Sequence, residues 1–483
     1  MYPVTGKIQE VKMIHFGTGG WRAVIGDDFI RENIQKFAQG VAIYAKELGK
    51  ADKPIAVGYD RRFLSSTSAK WIAEVLCANG LKVLATNRST PTPMIMHTVK
   101  VQELDFGIEV TASHNPYEYN GLKLIVHEGR DASLEETGRV EEIINSLGEG
   151  DVKRISFEEA VETGLVEIMK NPFNRFIDDI IAQMDIAKIR ERGPRILFDP
   201  MHGSGTYPLL VILSTARCTV DLLHSDKDAY FGGNMPAPSE KSLDELTDRV
   251  VKEGYDLGIA LDGDGDRLGI IDSNGTYISA NDILCMLYYY LHEYKGWKGP
   301  VVRNLATTHL LDRIAESFGE VCYEVPVGFK YISSKLDEVD AVLGGESSGG
   351  LTVRGHIFGK DSIYASSLFV EMISAIGKTP TEIMADLRAK YGTLEMVEDN
   401  LRFPAEKKPE INDVIMVQKK LPEFSKKVVR VNYEDGCKVY FDDDSFVICR
   451  FSGTEPLLRI FAEAKDAATA KQYIADFKSF LGM

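Results

Sequence analysis

Asp262, Asp264 and Asp266 stand two apart in LDGDGDR (261–267), with Gly263 and Gly265 between them. In an extended chain such side chains share one side, and the glycines let the backbone curl until the carboxylates converge. Three hard oxygen donors in a small loop suit Mg²⁺. The string also suits a solvated acidic turn, because Asp-Gly is a common hairpin dipeptide, but three converging acids with Arg267 as the nearby cation would repel one another. TASHNP (111–116) places Ser113 and His114 in an Asn-Pro turn directly after the apolar run DFGIEV. That is either punctuation closing a buried strand or a hydroxyl set out for chemistry.

RFSGTEPLLR (450–459) offers two guanidinium groups, Arg450 and Arg459, the hydroxyls of Ser452 and Thr454, and the unhindered amide of Gly453. This mixture suits a phosphate dianion; a polar hairpin with surface arginines uses the same residues. In GGESSGG (344–350), Glu346 and Ser348 stand two apart between glycines, so a carboxylate and a hydroxyl can face one ligand, such as a sugar. A plain Gly-rich loop is the competing reading. FGTGGWR (16–22) is another Gly-rich turn, ending in Arg22, but it lacks the spacing and the strand-before, helix-after context of a dinucleotide fingerprint. No GxxxxGK[ST] string occurs, so neither a nicotinamide cofactor nor an ATP P-loop is expected.

Periodicity indicates the elements that must carry these loops. Residues 29–48 read as a helix, PIAVGYD (54–60) as a buried strand, 65–79 as a helix, and LKVLAT, DFGIEV and NGLKLIV as strands. The α/β pattern restarts after the charged, Gly-rich stretch near 148–153, and again near Asn281. From about Tyr391 it changes to closely spaced strands KVVRVNY, CKVYF, SFVICRF and LLRIFAEA with a final helix over 467–481. The expected fold is α/β: three tandem similar α/β domains with mixed sheets over 1–150, 151–273 and 274–390, then an α+β domain with an antiparallel sheet over 391–483. No repeat is evident in residue identity.

With 483 residues the chain exceeds one compact core. Hydrophobic content of 44% and charged content of 27% are ordinary for a soluble globular protein. The net charge of -16 opposes non-specific binding to nucleic acid and to anionic membranes, so an anionic substrate needs a local basic pocket. The six cysteines are scattered without a CxxC pair and read as reduced thiols. Without a signal-like apolar segment or a membrane span the expected location is the cytoplasm, and the residues before Met13 read as dispensable.

Taken in order, TASHNPYEYNGLK, DGDGDR, GESSGG and RFSGTEPLLR resemble the phosphoserine, metal, sugar-recognition and phosphate-binding loops of the α-D-phosphohexomutases, the phosphoglucomutase/phosphomannomutase group. The resemblance implies four domains around a central cleft and phosphorylation of Ser113. It also implies Mg²⁺ held by Asp262, Asp264, Asp266 and a Ser113 phosphoryl oxygen, with positive charge from Arg22, Lys123 and Arg267. Arg450, Ser452, Gly453, Thr454 and Arg459 would grip the substrate phosphate, and Glu346 and Ser348 the ring hydroxyls. Lys123 follows NGL where the family has an active-site lysine. Lys330 in VPVGFKYIS and both His356 and Lys360 in RGHIFGKD are expected on substrate, while His114 is either an acid/base group or a turn-fixing residue.

The implied reaction interconverts hexose 1-phosphate and hexose 6-phosphate through a hexose 1,6-bisphosphate, which also serves as activator. Some family members close the sugar loop with histidine where Gly350 stands, so that imidazole's role does not transfer. GGLTVRGHIFGKD tilts the expected sugar to glucose, with mannose second and glucosamine phosphate as the alternative within the family. A Mg-dependent sugar phosphatase and a catalytically silent sugar-phosphate-binding protein are the competing classes. The partners expected are sugar phosphates, with neither nucleic acid nor membrane, and the chain acts as a monomer or homo-oligomer.

Overall fold

The computed structural model describes residues 13–17, 20–148, 150–451 and 457–482. They form two compact units: Met1–Pro172 with Lys227–Met235, and Phe173–Asp226 with Pro236–Met483. Among the described residues no helix is long and apolar enough to cross a membrane.

The first unit is built on a seven-stranded mixed sheet. Strands Phe106–Val110, Ile55–Tyr59, Val83–Thr86 and Val166–Met169 run parallel, and Tyr119–Val126 turns back antiparallel on Phe106–Val110. Continuous burial of Phe106–Val110 explains its unbroken apolar reading, since a strand covered on both faces needs no alternation. Helix Thr92–Val101 lies so close that a Cβ on Gly107 would stand 2.7 Å from the Val99 side chain. FGTGGWR, expected as a turn alone, runs on into a strand: Trp21–Val24 pairs antiparallel with Tyr119–Val126, placing Arg22 opposite Gly121. The strand Val166–Met169 belongs to this sheet although it follows residue 150, where the sequence pattern broke.

The second unit carries three sheets. In the first, Arg195–Asp199 lies parallel to both Thr219–Leu222 and Leu257–Leu261, and Leu268–Asp272 returns antiparallel. In the next, Val301–Asn304 lies parallel to Cys322–Val325 and Leu343–Gly345, and Leu351–Val353 returns antiparallel. The last is antiparallel throughout, in the order Glu395–Arg402, Leu457–Ala464, Phe446–Phe451, Cys437–Phe441, Val428–Asn432, backed by helix Ala467–Phe480. Its edge strand Glu395–Arg402 is absent from the sequence-based expectation, because its acidic composition hides the pairing with Leu457–Ala464. Three α/β sheets followed by an antiparallel α+β sheet is the fold class expected from the sequence.

Charge as well as apolar surface joins the last two sheets. Leu305 and Ala306 pack with Phe446 and Ile448. Beside them, Glu324 accepts from Lys438 Nζ at 2.6 Å and Arg303 Nη1 at 2.7 Å, and Tyr440 donates to the same carboxylate. His309 Nε2 stands 2.9 Å from the Lys438 ammonium. Burial alone would raise the Glu324 pKa, but the His309 contact and the Lys438 and Arg303 charges hold it well below the ordinary carboxylate range.

Glu324→Gln leaves Lys438 buried without its carboxylate, while Arg303 keeps Asp312, and is expected to cost about 3–5 kcal/mol of stability, read by urea denaturation. A depressed carboxyl stabilises wherever it is ionised. The gap between wild type and variant should therefore be complete at neutral pH and close as pH falls below the ordinary glutamate value of 4.5.

Candidate active site

In the first unit, Phe106–Val110 delivers Thr111 to the turn that precedes Tyr119–Val126. Ser113 sits there with φ +52, a left-handed conformation that costs a non-glycine residue energy. Its N–H donates to Thr111 Oγ1 at 2.8 Å, and its Oγ lies 3.2 Å from His114 Nδ1. Arg22 reaches the turn through Nη1, which donates to Asn115 Oδ1 at 2.6 Å. Lys123 is buried opposite Glu109 in the strand register, with Nζ 3.5 Å from Thr92 Oγ1. Ser113 is 1% exposed, and its N–H and carbonyl are both held by side chains.

In the second unit, Leu257–Leu261 and Leu268–Asp272 are joined by residues 262–267. Asp262, Asp264 and Asp266 converge, with one oxygen from each within 4.8 Å of the others, and all three are buried. A turn brings this about, and an extended run does not. Gly265, at φ +73, donates its N–H to Asp262 O at 3.1 Å, and Asp262 Oδ1 accepts the N–H groups of Asp266 and Arg267 at 2.9 and 3.1 Å. Buried hard oxygens at this spacing fit Mg²⁺. Ser113, expected as a further ligand, belongs to the first unit.

Lys360 Nζ stands 3.1 Å from Asp266 Oδ2. Its stem runs over Gly350, where a Cβ would lie 2.2 Å from Lys360 Cδ, so the glycine makes room for this lysine. In the same loop Glu346 Oε1 accepts from Asn304 Nδ2 at 3.1 Å and the Gly328 N–H at 3.2 Å, while Oε2 lies 3.5 Å from Ser348 Oγ. Gly349 O accepts the Leu268 N–H at 3.4 Å, joining the 346–350 loop to the end of the loop 262–267. Arg267 is partly exposed, and its Nε lies 3.9 Å from Asp266 Oδ1. Lys330 starts helix Phe329–Val339, its ammonium 5.3 Å from the Tyr331 ring centroid. His356 is a different case. Its side chain is 1% exposed, packed beside Tyr364, and its Nε2 meets Asp361 Oδ2 at 2.6 Å.

Arg450 and Arg459 face each other directly across Phe446–Phe451 and Leu457–Ala464. Ser452, Gly453 and Thr454 lie outside the described residues. Like charges opposed across a ladder are unfavourable and make a positive face for an anion. Asp435 moderates it, with Oδ2 2.8 Å from Arg450 Nη2 and accepting the Val327 N–H at 2.9 Å. Gly436 leaves the space, since a Cβ there would lie 2.7 Å from Arg450 Cγ.

The same arrangement of domains is found in known proteins. The chain matches Phosphoglucomutase/phosphomannomutase alpha/beta/alpha domain I over residues 13–151, domain II over 174–275, domain III over 279–391 and the C-terminal domain over 398–479. It belongs to the phosphoglucomutase/phosphomannomutase family. A Thermococcus kodakarensis protein named phosphoglucomutase/phosphomannomutase is 30% identical over 95% of this chain and 96% of its own. A Sulfurisphaera tokodaii protein named phosphoglucosamine/phosphogalactosamine mutase is 26% identical over 96% of this chain and 98% of its own. The crystal structure of a phosphomannomutase candidate from Thermus thermophilus superposes with TM-score 0.84 at 26% identity, over 98% of this chain and all of that one. The chain is thus an enzyme of the phosphohexomutase superfamily, with a candidate metal triad and a phosphoryl transfer on a sugar phosphate as its reaction type.

Several supporting residues escaped the sequence reading of this family member. The loop DPMHGSG (199–205) buttresses the metal loop: Ser204 N donates to Gly263 O at 3.0 Å, and a Cβ on Gly203 would lie 2.7 Å from Asp262 O. Asn304 orients Glu346, and Asp60 and Arg62 hold the Ser113 turn. The available signal was positional, because these residues lie at or just after the end of a parallel strand.

Mg²⁺ at about a hundredfold over its dissociation constant is expected to stabilise the wild type by about 2.7 kcal/mol. Asp264→Asn should abolish both this thermal shift and the heat of Mg²⁺ binding in calorimetry, without changing the fold by circular dichroism.

Proposed function

We propose that the protein interconverts hexose 1-phosphate and hexose 6-phosphate through phosphorylated Ser113 and a hexose 1,6-bisphosphate. The observation that carries this reading is the opposed Arg450–Arg459 pair. A phosphatase has one phosphate to hold and discard, whereas a mutase must grip one phosphate while the other is exchanged. The second positive face makes sense for a bisphosphate.

In the proposed cycle Arg450 and Arg459 hold the resident phosphate. Glu346, held by Asn304 and the Gly328 N–H, takes ring hydroxyls together with Ser348. Ser113 gives its phosphoryl group to the free hydroxyl; the bisphosphate then turns end for end and returns its other phosphoryl group to Ser113. Mg²⁺ at Asp262, Asp264 and Asp266 would supply Lewis-acid neutralisation of the transferring phosphoryl group. Lys123 and Arg22 add positive charge on the first unit, Arg267 and Lys360 on the second, and His114 stands within reach of the Ser113 hydroxyl to hold or move its proton.

For the sugar, the relatives favour glucosamine phosphate over the glucose read from GGLTVRGHIFGKD. Besides the Sulfurisphaera protein, archaeal relatives at 27–29% identity carry phosphoglucosamine mutase names. A coupled assay of glucosamine, glucose and mannose 1-phosphates with catalytic bisphosphate tests this. The expected result is hexosamine 6-phosphate formation with kcat/KM at least about tenfold above that for glucose, equivalent to about 1.4 kcal/mol. Ser113→Ala should abolish turnover. Predominant release of inorganic phosphate would replace the mutase with a hydrolase.

A further inference from the structure

The geometry points to Arg62 as a positioning residue that fixes the Ser113 hydroxyl through the backbone of its turn, without touching substrate. This rests on the mutase reading above in taking Ser113 as the phosphoryl carrier.

Arg62 and Asp60 follow the buried strand Ile55–Tyr59, and both side chains are fully buried, with Nε 3.2 Å from Asp60 Oδ2. The guanidinium donates to four backbone carbonyls in and just after the phosphoserine turn. Nη2 reaches Ser113 O and Asn115 O, each at 2.6 Å, and Nη1 reaches Pro116 O at 2.8 Å and Tyr119 O at 3.1 Å. Asp60 supplies the complementary hold. Its Oδ2 accepts from Thr111 Oγ1 at 2.7 Å, and that oxygen accepts the Ser113 N–H at 2.8 Å. Its Oδ1 accepts from Ser65 Oγ at 2.7 Å and from the Arg62 N–H at 2.9 Å.

Both peptide groups of Ser113 therefore lead back to one buried ion pair. Its carbonyl goes to Arg62 directly, and its N–H goes to Asp60 through Thr111. These bonds offset the cost of the left-handed φ at Ser113, which a non-glycine residue adopts unfavourably. They also fix the Cα–Cβ direction, and with it the arc within which Oγ can stand.

A second contact holds the guanidinium plane. The Phe231 ring centroid lies 4.8 Å from Arg62 Cζ. Phe231 comes from Lys227–Met235, a stretch that belongs to the first unit although its flanking sequence belongs to the second. Asp228 shapes that stretch by accepting the N–H groups of Tyr230 and Gly232 at 2.9 Å each, and Tyr230 stacks edge-on at 5.3 Å against Tyr117 of the turn. A lysine at 62 has a point charge and cannot reproduce a planar fork bound to four carbonyls and a ring.

The test compares wild type, Arg62→Lys, Arg62→Ala and Phe231→Leu in hexose phosphate turnover and in amide exchange of the 111–118 turn. Arg62→Lys should keep the wild-type circular dichroism and Mg²⁺-induced thermal shift. It should lose about a hundredfold in kcat, the scale of a misplaced reacting atom, with KM within about threefold of wild type. Low concentrations of guanidinium should restore at least about tenfold of the Arg62→Ala rate, and Phe231→Leu should fall between wild type and Arg62→Lys. Exchange at the Ser113 amide should accelerate in both Arg62 variants. Unchanged kcat in a folded Arg62→Lys, parallel loss in kcat and rise in KM, or wild-type exchange at Ser113 would each overturn the assignment. If the wild type itself fails to turn over hexose phosphates, the mutase reading falls, and amide exchange still decides whether Arg62 holds the turn.

Discussion

Three carboxylates buried within 4.8 Å of one another are the constraint on which the second unit depends. Desolvating even one ionised carboxylate costs several kcal/mol, and crowding three compounds it with repulsion. The chain answers with what it has at hand. Asp262 is held by two backbone N–H groups, and Asp266 meets the Lys360 ammonium. These contacts keep the loop folded but leave a site of high negative potential, and a divalent cation is the species that neutralises it fully. Everything packed round the loop follows from keeping it closed: Gly203 admits the Asp262 and Gly263 carbonyls, and Gly350 admits the Lys360 stem.

The same architectural device recurs in each α/β sheet. A buried parallel strand ends, a loop follows, and the next strand returns antiparallel on the first. Residues 111–118 lie between Phe106–Val110 and Tyr119–Val126, 262–267 between Leu257–Leu261 and Leu268–Asp272, and 346–350 between Leu343–Gly345 and Leu351–Val353. The carboxyl ends of parallel strands are where α/β sheets bind ligands, and pinning both ends of the loop to adjacent strands removes slack from it. The antiparallel last sheet offers the same hairpin to Arg450 and Arg459. The repetition lies in topology and not in residue identity, which is why the sequence shows no repeat.

The loops themselves were legible because their chemistry is carried by residue types that have few other uses at such spacing. Asp262, Asp264 and Asp266 announce convergence by alternation with glycine, and burial of DFGIEV follows from its unbroken apolar run. What stayed hidden was the support. Arg62 reads as one of two adjacent arginines after a strand, and only tertiary folding reveals that it is sealed against four carbonyls. His356 is a second case: nothing local in RGHIFGKD shows that its imidazole meets Asp361 at the start of helix Ser362–Ile376. Glu395–Arg402 was missed because a strand whose partner lies dozens of residues away leaves no local periodicity when its exposed positions are acidic.

Glu346 connects this rigidity to substrate choice. One of its oxygens is committed to Asn304 and the Gly328 N–H, so the carboxylate cannot swing to follow a ligand. On the mutase reading proposed above, a bisphosphate that binds in two orientations has to present a donor to the same fixed acceptor each time. Hydroxyls on a pyranose ring meet that requirement from either face of the exchange. So does a protonated amino group, which gives the carboxylate a charge-assisted bond in place of a neutral one. On the same reading, such a fixed anion would suit an amino sugar as well as a neutral one, without enlargement of the 346–350 loop.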